Sequence, residues 1–144
     1  MNEVFEEALR HSRRKTILKD IIKDISLKDY KNKTFDEIFK SMSNFKKYGD
    51  IGPLTIYDLS SGICRYHGIL IDKVYIVGKG PIRAVKLLGI KCSKNKELSL
   101  KYVEIKEIIE IFKKKSFILP DIFHKEKING DDLESFICRW QKQF

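Results

Sequence analysis

The chain has 144 residues, with 29 Lys and Arg against 20 Asp and Glu, a net charge of +9, and 42% hydrophobic residues. That length makes about one domain the default, and this much apolar material supplies a core and excludes an intrinsically disordered chain. No apolar run approaches the roughly 18 residues of a membrane span, and the first ten residues, MNEVFEEALR, lack a signal-peptide core. The three cysteines, Cys64, Cys92 and Cys138, form no CxxC pair, and His11, His67 and His124 lie far apart. The expectation is a reduced, cytoplasmic chain with no membrane association, no metal and no cofactor. Its positive surplus suits a polyanionic partner, nucleic acid first.

Taken in chain order, apolar residues recur at helical spacing at Val4, Phe5, Ala8 and Leu9, then at Ile17, Leu18, Ile21, Ile22 and Ile25. A basic stretch, Arg10-His11-Ser12-Arg13-Arg14-Lys15, separates the two sets. Thr34, with Glu37 three residues later, forms a capping box for a helix whose apolar face is Phe35, Ile38, Phe39, Met42 and Phe45. Pro53 suits the first turn of a helix that runs to about Tyr66, with Gly68 near its end. Ile69 to Val77 reads as a brief strand or another helical turn. Pro81 to Leu88 reads as a helix closed by Gly89. Leu100, Val103, Ile108, Ile109 and Phe112 mark one further helix, ending in Lys113-Lys114-Lys115, where cations favour the helix dipole. Asp131 and Asp132 open the last helix, with Leu133, Phe136, Ile137 and Trp140 on its buried face. No strand–turn–strand alternation appears anywhere in the chain. The sequence therefore predicts an all-α fold in a single helical domain, 1–144.

Two turns carry the chemistry. The first, within residues 46–66, reads Lys46-Lys47-Tyr48-Gly49-Asp50-Ile51-Gly52-Pro53-Leu54-Thr55-Ile56. It joins two helices through glycines that let backbone N–H groups face outward. The next helix adds unpaired N–H donors and the positive end of a dipole, a combination that binds phosphate. The string resembles the helix-hairpin-helix DNA-binding motif, roughly Pro-Gly-hydrophobic-Gly-Pro-x-Thr-Ala. Ile51, Gly52, Pro53 and Thr55 match it. Asp50 stands where the first glycine is expected, Gly49 is displaced by one, and Ile56 replaces the small Ala.

The second turn, within residues 76–89, reads Val77-Gly78-Lys79-Gly80-Pro81-Ile82-Arg83-Ala84-Val85. Both glycines and Ala84 match the motif, while Lys79 replaces its central apolar residue. Two such hairpins resemble a tandem helix-hairpin-helix unit, which implies contact with DNA backbone rather than base edges. The first hairpin also resembles that of helix-hairpin-helix DNA glycosylases, whose essential Asp follows the hairpin by roughly twenty residues. Asp72 lies 20 residues beyond Gly52. In that family the carboxylate stabilises positive charge on the sugar of a flipped nucleotide. Pro53 and Leu54 occupy the region where bifunctional members carry a nucleophilic Lys. The chain further resembles uncharacterised bacterial and phage proteins that share a Gly-Pro-Leu-Thr-x-Tyr-Asp hairpin and a C-terminal Glu-x-x-x-Cys helix like Glu134 to Cys138.

The leading expectation is a small basic protein that contacts DNA backbone phosphates without sequence specificity. Its candidate contacts are Lys46, Lys47, Gly52, Lys79, Gly80 and Arg83. A monofunctional glycosylase-like enzyme using Asp72 is one alternative. A helical protein–protein adaptor with purely structural hairpins is the other.

Overall fold

The computed structural model describes residues 19, 20, 22, 23, 25, 29–48 and 51–144, with the backbone alone at 47 and 48. The chain divides into two compact units, Met1–Ile69 and Leu70–Phe144. The helix expected over Val4 to Leu9, the basic stretch Arg10 to Lys15, and the Gly49-Asp50 pair lie outside the described residues.

In the first unit, Ile22 and Ile25 are helical and buried. Helix α1 spans Phe35–Ser43 and begins with the expected capping box. The Thr34 hydroxyl oxygen accepts from the Glu37 N–H at 3.2 Å, and Glu37 Oε1 accepts from the Thr34 N–H at 3.2 Å. That backbone donor holds the Glu37 carboxyl below its ordinary value. The cap's charged form is therefore present at neutral pH, and its contribution is lost as pH falls through the lowered value. A 3-10 turn, Asn44–Tyr48, follows. Helix α2, Pro53–Tyr66, begins at the expected proline and packs on α1, with Phe35 edge-on to Tyr57 at 5.9 Å. It ends at Gly68, whose φ of +66° places it in the left-handed region that favours glycine. The Ile69 N–H then reaches back to the Cys64 carbonyl at 2.8 Å.

The second unit departs from the expected architecture. It contains a three-stranded antiparallel sheet: β1, Lys73–Tyr75; β2, Ser93–Asn95; and β3, Leu100–Glu104, in the order β1-β3-β2. The fold is mixed α/β, which corrects the all-α expectation. The physical reason lies in strand length. Three to five residues are too few for a two-residue period to stand out. Leu100 and Val103, spaced by three, also fit a helical template that continues into Ile108 and Phe112. What makes this segment a strand is pairing with distant chain: Val103 opposes Val74, and Tyr102 opposes both Tyr75 and Ser93.

Three helices complete the unit: α3, Lys79–Leu88; α4, Ile105–Lys114; and α5, Gly130–Trp140. The Val74–Val103 face of the sheet shares one core with Val85 and Leu88 of α3, Phe112 of α4, and Leu133 and Ile137 of α5. Helix α4 leaves β3 without a loop, because Glu104 already has the extended geometry of an N-cap. Helix α5 is anchored at its start. The Asn129 side chain accepts from the Asp131 N–H at 3.1 Å and the Ile71 N–H at 3.4 Å. The Gly130 N–H donates to the Ile71 carbonyl at 2.7 Å. A Cβ at Gly130 would collide with the Lys73 carbonyl group, so only glycine lets α5 approach β1 this closely. No described helix is long and apolar enough to cross a membrane.

Gly130→Ala is expected to destabilise the chain by more than the about 1–3 kcal/mol usual for overpacking, because the clash is with backbone. Thr34→Ala should cost about 1 kcal/mol through loss of the cap. Urea denaturation of both variants checks this. A Gly130→Ala variant as stable as the parent would contradict the described approach of α5 to β1.

Candidate nucleic-acid interface

At the first hairpin, Lys46 is exposed in the 3-10 turn, and Lys47 follows it in the same turn. Ile51 is 2% exposed, the buried apolar anchor that the hairpin pattern requires. Gly52 is the N-cap of α2, in extended geometry, with open space where a Cβ would stand. Pro53 brings no N–H, so Leu54 and Thr55 supply the donors of this first turn. The first turn of α2 itself carries no acidic residue.

At the second hairpin, Gly78 has a φ of +89° and forms the N-cap of α3. The helix begins at Lys79, two residues before the expected Pro81, and its first turn also lacks acidic residues. Lys79 is exposed there. The helices α1, α4 and α5, by contrast, each carry Asp or Glu in the first turn. Lys79 thus places a cation where the helix dipole favours an anion.

Gly80 and Arg83 sit differently from Lys79. A Cβ on Gly80 would meet Cys138 Sγ in hard collision, so this glycine lets α3 approach α5. Arg83 Nη1 donates to the Gln141 carbonyl at 2.5 Å and to Gln141 Oε1 at 2.6 Å. The Gln141 side chain is buried and donates in turn to the Cys138 carbonyl at 3.0 Å. Arg83 therefore caps the C-terminal end of α5, where a cation is favoured. Burial pushes the Cys138 thiol above its ordinary pKa, with the nearby Glu134 adding to the shift.

Asp72 is exposed and immediately precedes β1. It lacks the water-excluded surroundings in which a carboxylate steers a sugar cation. Among the described residues no three His, Cys, Asp or Glu side chains converge as a metal site. The three cysteines are not joined in disulfides. A shallow pocket of about 470 Å³ opens in the first unit beside Tyr30, Lys33 and Lys40. The Tyr30 hydroxyl beside it is buried with no hydrogen-bond partner among the described residues, and burial raises its pKa.

The sheet brings together cations that the sequence reading did not pair. The second unit holds sixteen Lys and Arg against ten Asp and Glu, a surplus of six. On the edge strand β2, Lys94 stands directly opposite Lys101 of β3, and both are exposed. Lys91 and Lys96, at either end of β2, are exposed as well. Directly opposed positions on an antiparallel ladder lie about 4.5–5.5 Å apart at Cβ, and like charges there cost stability. No local motif announces this pair, since only the strand register creates it.

The two roles found near α3 separate by stability. Arg83→Ala is expected to destabilise the chain by about 1 kcal/mol, the worth of a typical hydrogen bond. Lys79→Ala should stay within about 0.5 kcal/mol of the parent. Gly80→Ala should destabilise by about 1–3 kcal/mol, and part of that loss should return when Cys138→Ala is added. Thermal denaturation of these variants, with Cys138→Ala alone completing the cycle, checks this, and additive behaviour of the Gly80 and Cys138 changes would contradict the packing described.

Comparison with protein families, with curated proteins and with solved structures finds no match to this chain.

Proposed function

We propose that the chain binds nucleic acid, DNA in the first instance, by its backbone phosphates and without reading sequence. The observation that carries this reading is the opposed Lys94–Lys101 pair on an edge strand, flanked by Lys91 and Lys96. Like charges at directly opposed ladder positions repel one another, and a phosphate bound between the two lysines relieves that repulsion. An edge strand also benefits from lysine as a guard against strand-to-strand association, so the two roles must be parted by experiment. The acid-free first turns of α2 and α3, with Lys79 in the second, supply further positions that suit a phosphate. Lys46 and Lys47 add long-range attraction. Arg83 and Gly80 contribute by fixing α3 against α5 and so presenting Lys79. The exposure of Asp72 favours binding over base excision.

Lys94→Glu parts the roles. It converts a like-charge cross-strand pair into an opposite-charge pair, so stability should rise by about 0.2–1 kcal/mol. Affinity for duplex DNA should fall at the same time. In the parent protein, affinity should fall with salt at a log–log slope of about −0.9 for each phosphate contacted, with little variation among sequences. Lys79→Glu should likewise weaken binding. Unchanged binding in both variants would remove these surfaces from the interface. Absence of binding to any nucleic acid at low salt would sink the proposal. Asp72→Asn should leave binding intact, and release of a base by the parent but not by this variant would establish the enzymatic alternative instead.

A further inference from the structure

Helices α4 and α5 end at one aromatic cluster that no hairpin residue explains. Phe112 of α4 lies 5.7 Å from Phe117 and 5.4 Å from Trp140, between ring centroids. Trp140 in turn lies 5.7 Å from Phe117 and 5.0 Å from Phe144. The rings run from core to water: Phe112 is 0% exposed, Trp140 9%, Phe117 37% and Phe144 62%. The outer two are inclined to Trp140 by 46° and 57° and keep much of their surface in solvent.

Phe117 is held in place by the backbone. Ser116 adopts a φ of +55°, and the Phe117 N–H returns to the Phe112 carbonyl at 2.9 Å. The chain thus closes α4 and lays Phe117 back over the core ring instead of leaving it on a loose loop. Cations flank the rings along the chain. Lys114 and Lys115 precede Phe117 by three and two residues, and Lys142 lies between Trp140 and Phe144; all three are exposed. At a helix C-terminus these cations are favoured by the dipole.

Partly exposed rings with exposed lysines two or three residues away in sequence suit one ligand chemistry especially well. Unpaired bases offer flat faces for the rings while their phosphates meet the cations. Duplex DNA keeps its base faces inside its own stack, so it engages the cations alone. An anionic bilayer fits less well. The outer positions of α4 alternate in sign, with Lys106 and Glu110 paired at 3.8 Å and Glu107 exposed beside them.

We propose that Phe117 and Phe144, seated on the buried Trp140, form a stacking platform for single-stranded nucleic acid, with Lys114, Lys115 and Lys142 as its phosphate contacts. The proposal rests on the nucleic-acid reading above and narrows its ligand to exposed bases.

Trp140 is the single tryptophan of the chain, so its fluorescence reports on this surface. The full-length protein is titrated with a short oligothymidylate, with a duplex of the same length, and with vesicles of phosphatidylserine and phosphatidylcholine. The oligothymidylate should bind about tenfold more tightly than the duplex and alter Trp140 emission. Phe144→Ala and Phe117→Ala should each weaken the oligothymidylate about tenfold and leave duplex affinity unchanged. Phe144→Leu, which keeps apolar bulk without a ring, should show the same selective loss and so separates stacking from folding. Lys114→Glu with Lys115→Glu should weaken both ligands. Equal affinity for both, unaffected by the Phe variants, overturns the platform and leaves backbone binding standing. No binding to either nucleic acid overturns both. Vesicle binding with a Trp140 response and no oligothymidylate response assigns the surface to a membrane and overturns the proposal.

Discussion

The second unit depends on how closely α5 can approach its neighbours. At its start, Gly130 lies against the Lys73 carbonyl and donates to the Ile71 carbonyl, so the helix is pinned to the chain where β1 begins. Farther along, Cys138 occupies the space that a side chain on Gly80 would need. At its end, Gln141 receives Arg83. Each contact needs either a missing side chain or a charged donor matched to a helix terminus. Together they place α5 against both the sheet and α3. The shared core of Val74, Val103, Leu88, Phe112, Leu133 and Ile137 can then close without a gap.

That packing has a direct consequence for the charged surface. In the strand order β1-β3-β2, β2 lies at an edge of the sheet. It carries Lys94, opposed by Lys101. Helix α3, fixed by Gly80 and Arg83, projects Lys79 from its first turn. The C-terminal ends of α4 and α5 meet at Phe112 and Trp140, and the aromatic row reaches solvent there. Helix approach and strand register thus set where these cations and the exposed rings appear, the features on which the proposed contacts with backbone phosphates and unpaired bases rest.

Much of the helical framework was legible in the chain itself. The Thr34–Glu37 capping box, the Pro53 start and Gly68 end of α2, the Gly89 end of α3, and the buried Leu133, Ile137 and Trp140 of α5 all follow from local rules. Local rules suffice because caps, prolines and left-handed glycines act within four residues of chain, and the helical period repeats over several turns. The positive surplus was equally plain, as it is a sum over composition.

Tertiary structure decided the rest. The sheet was hidden because its strands are short and draw their stability from partners such as Val74 and Val103, far apart in sequence. The same register alone set Lys94 against Lys101. Gly80 is also the point where α3 meets Cys138, and Arg83, still exposed, also holds Gln141. In both cases a residue type admits more than one use, and its neighbour in space adds one that local sequence does not show. The aromatic row follows the same logic: Phe112 and Trp140 read as core by spacing, and only the meeting of two helix ends sets Phe117 and Phe144 beside Trp140 with their outer faces in water. Sequence determines what is local or additive, such as caps, helical periods and net charge. Register, close approach and exposure belong to pairs of distant residues, so they exist only once the chain has folded.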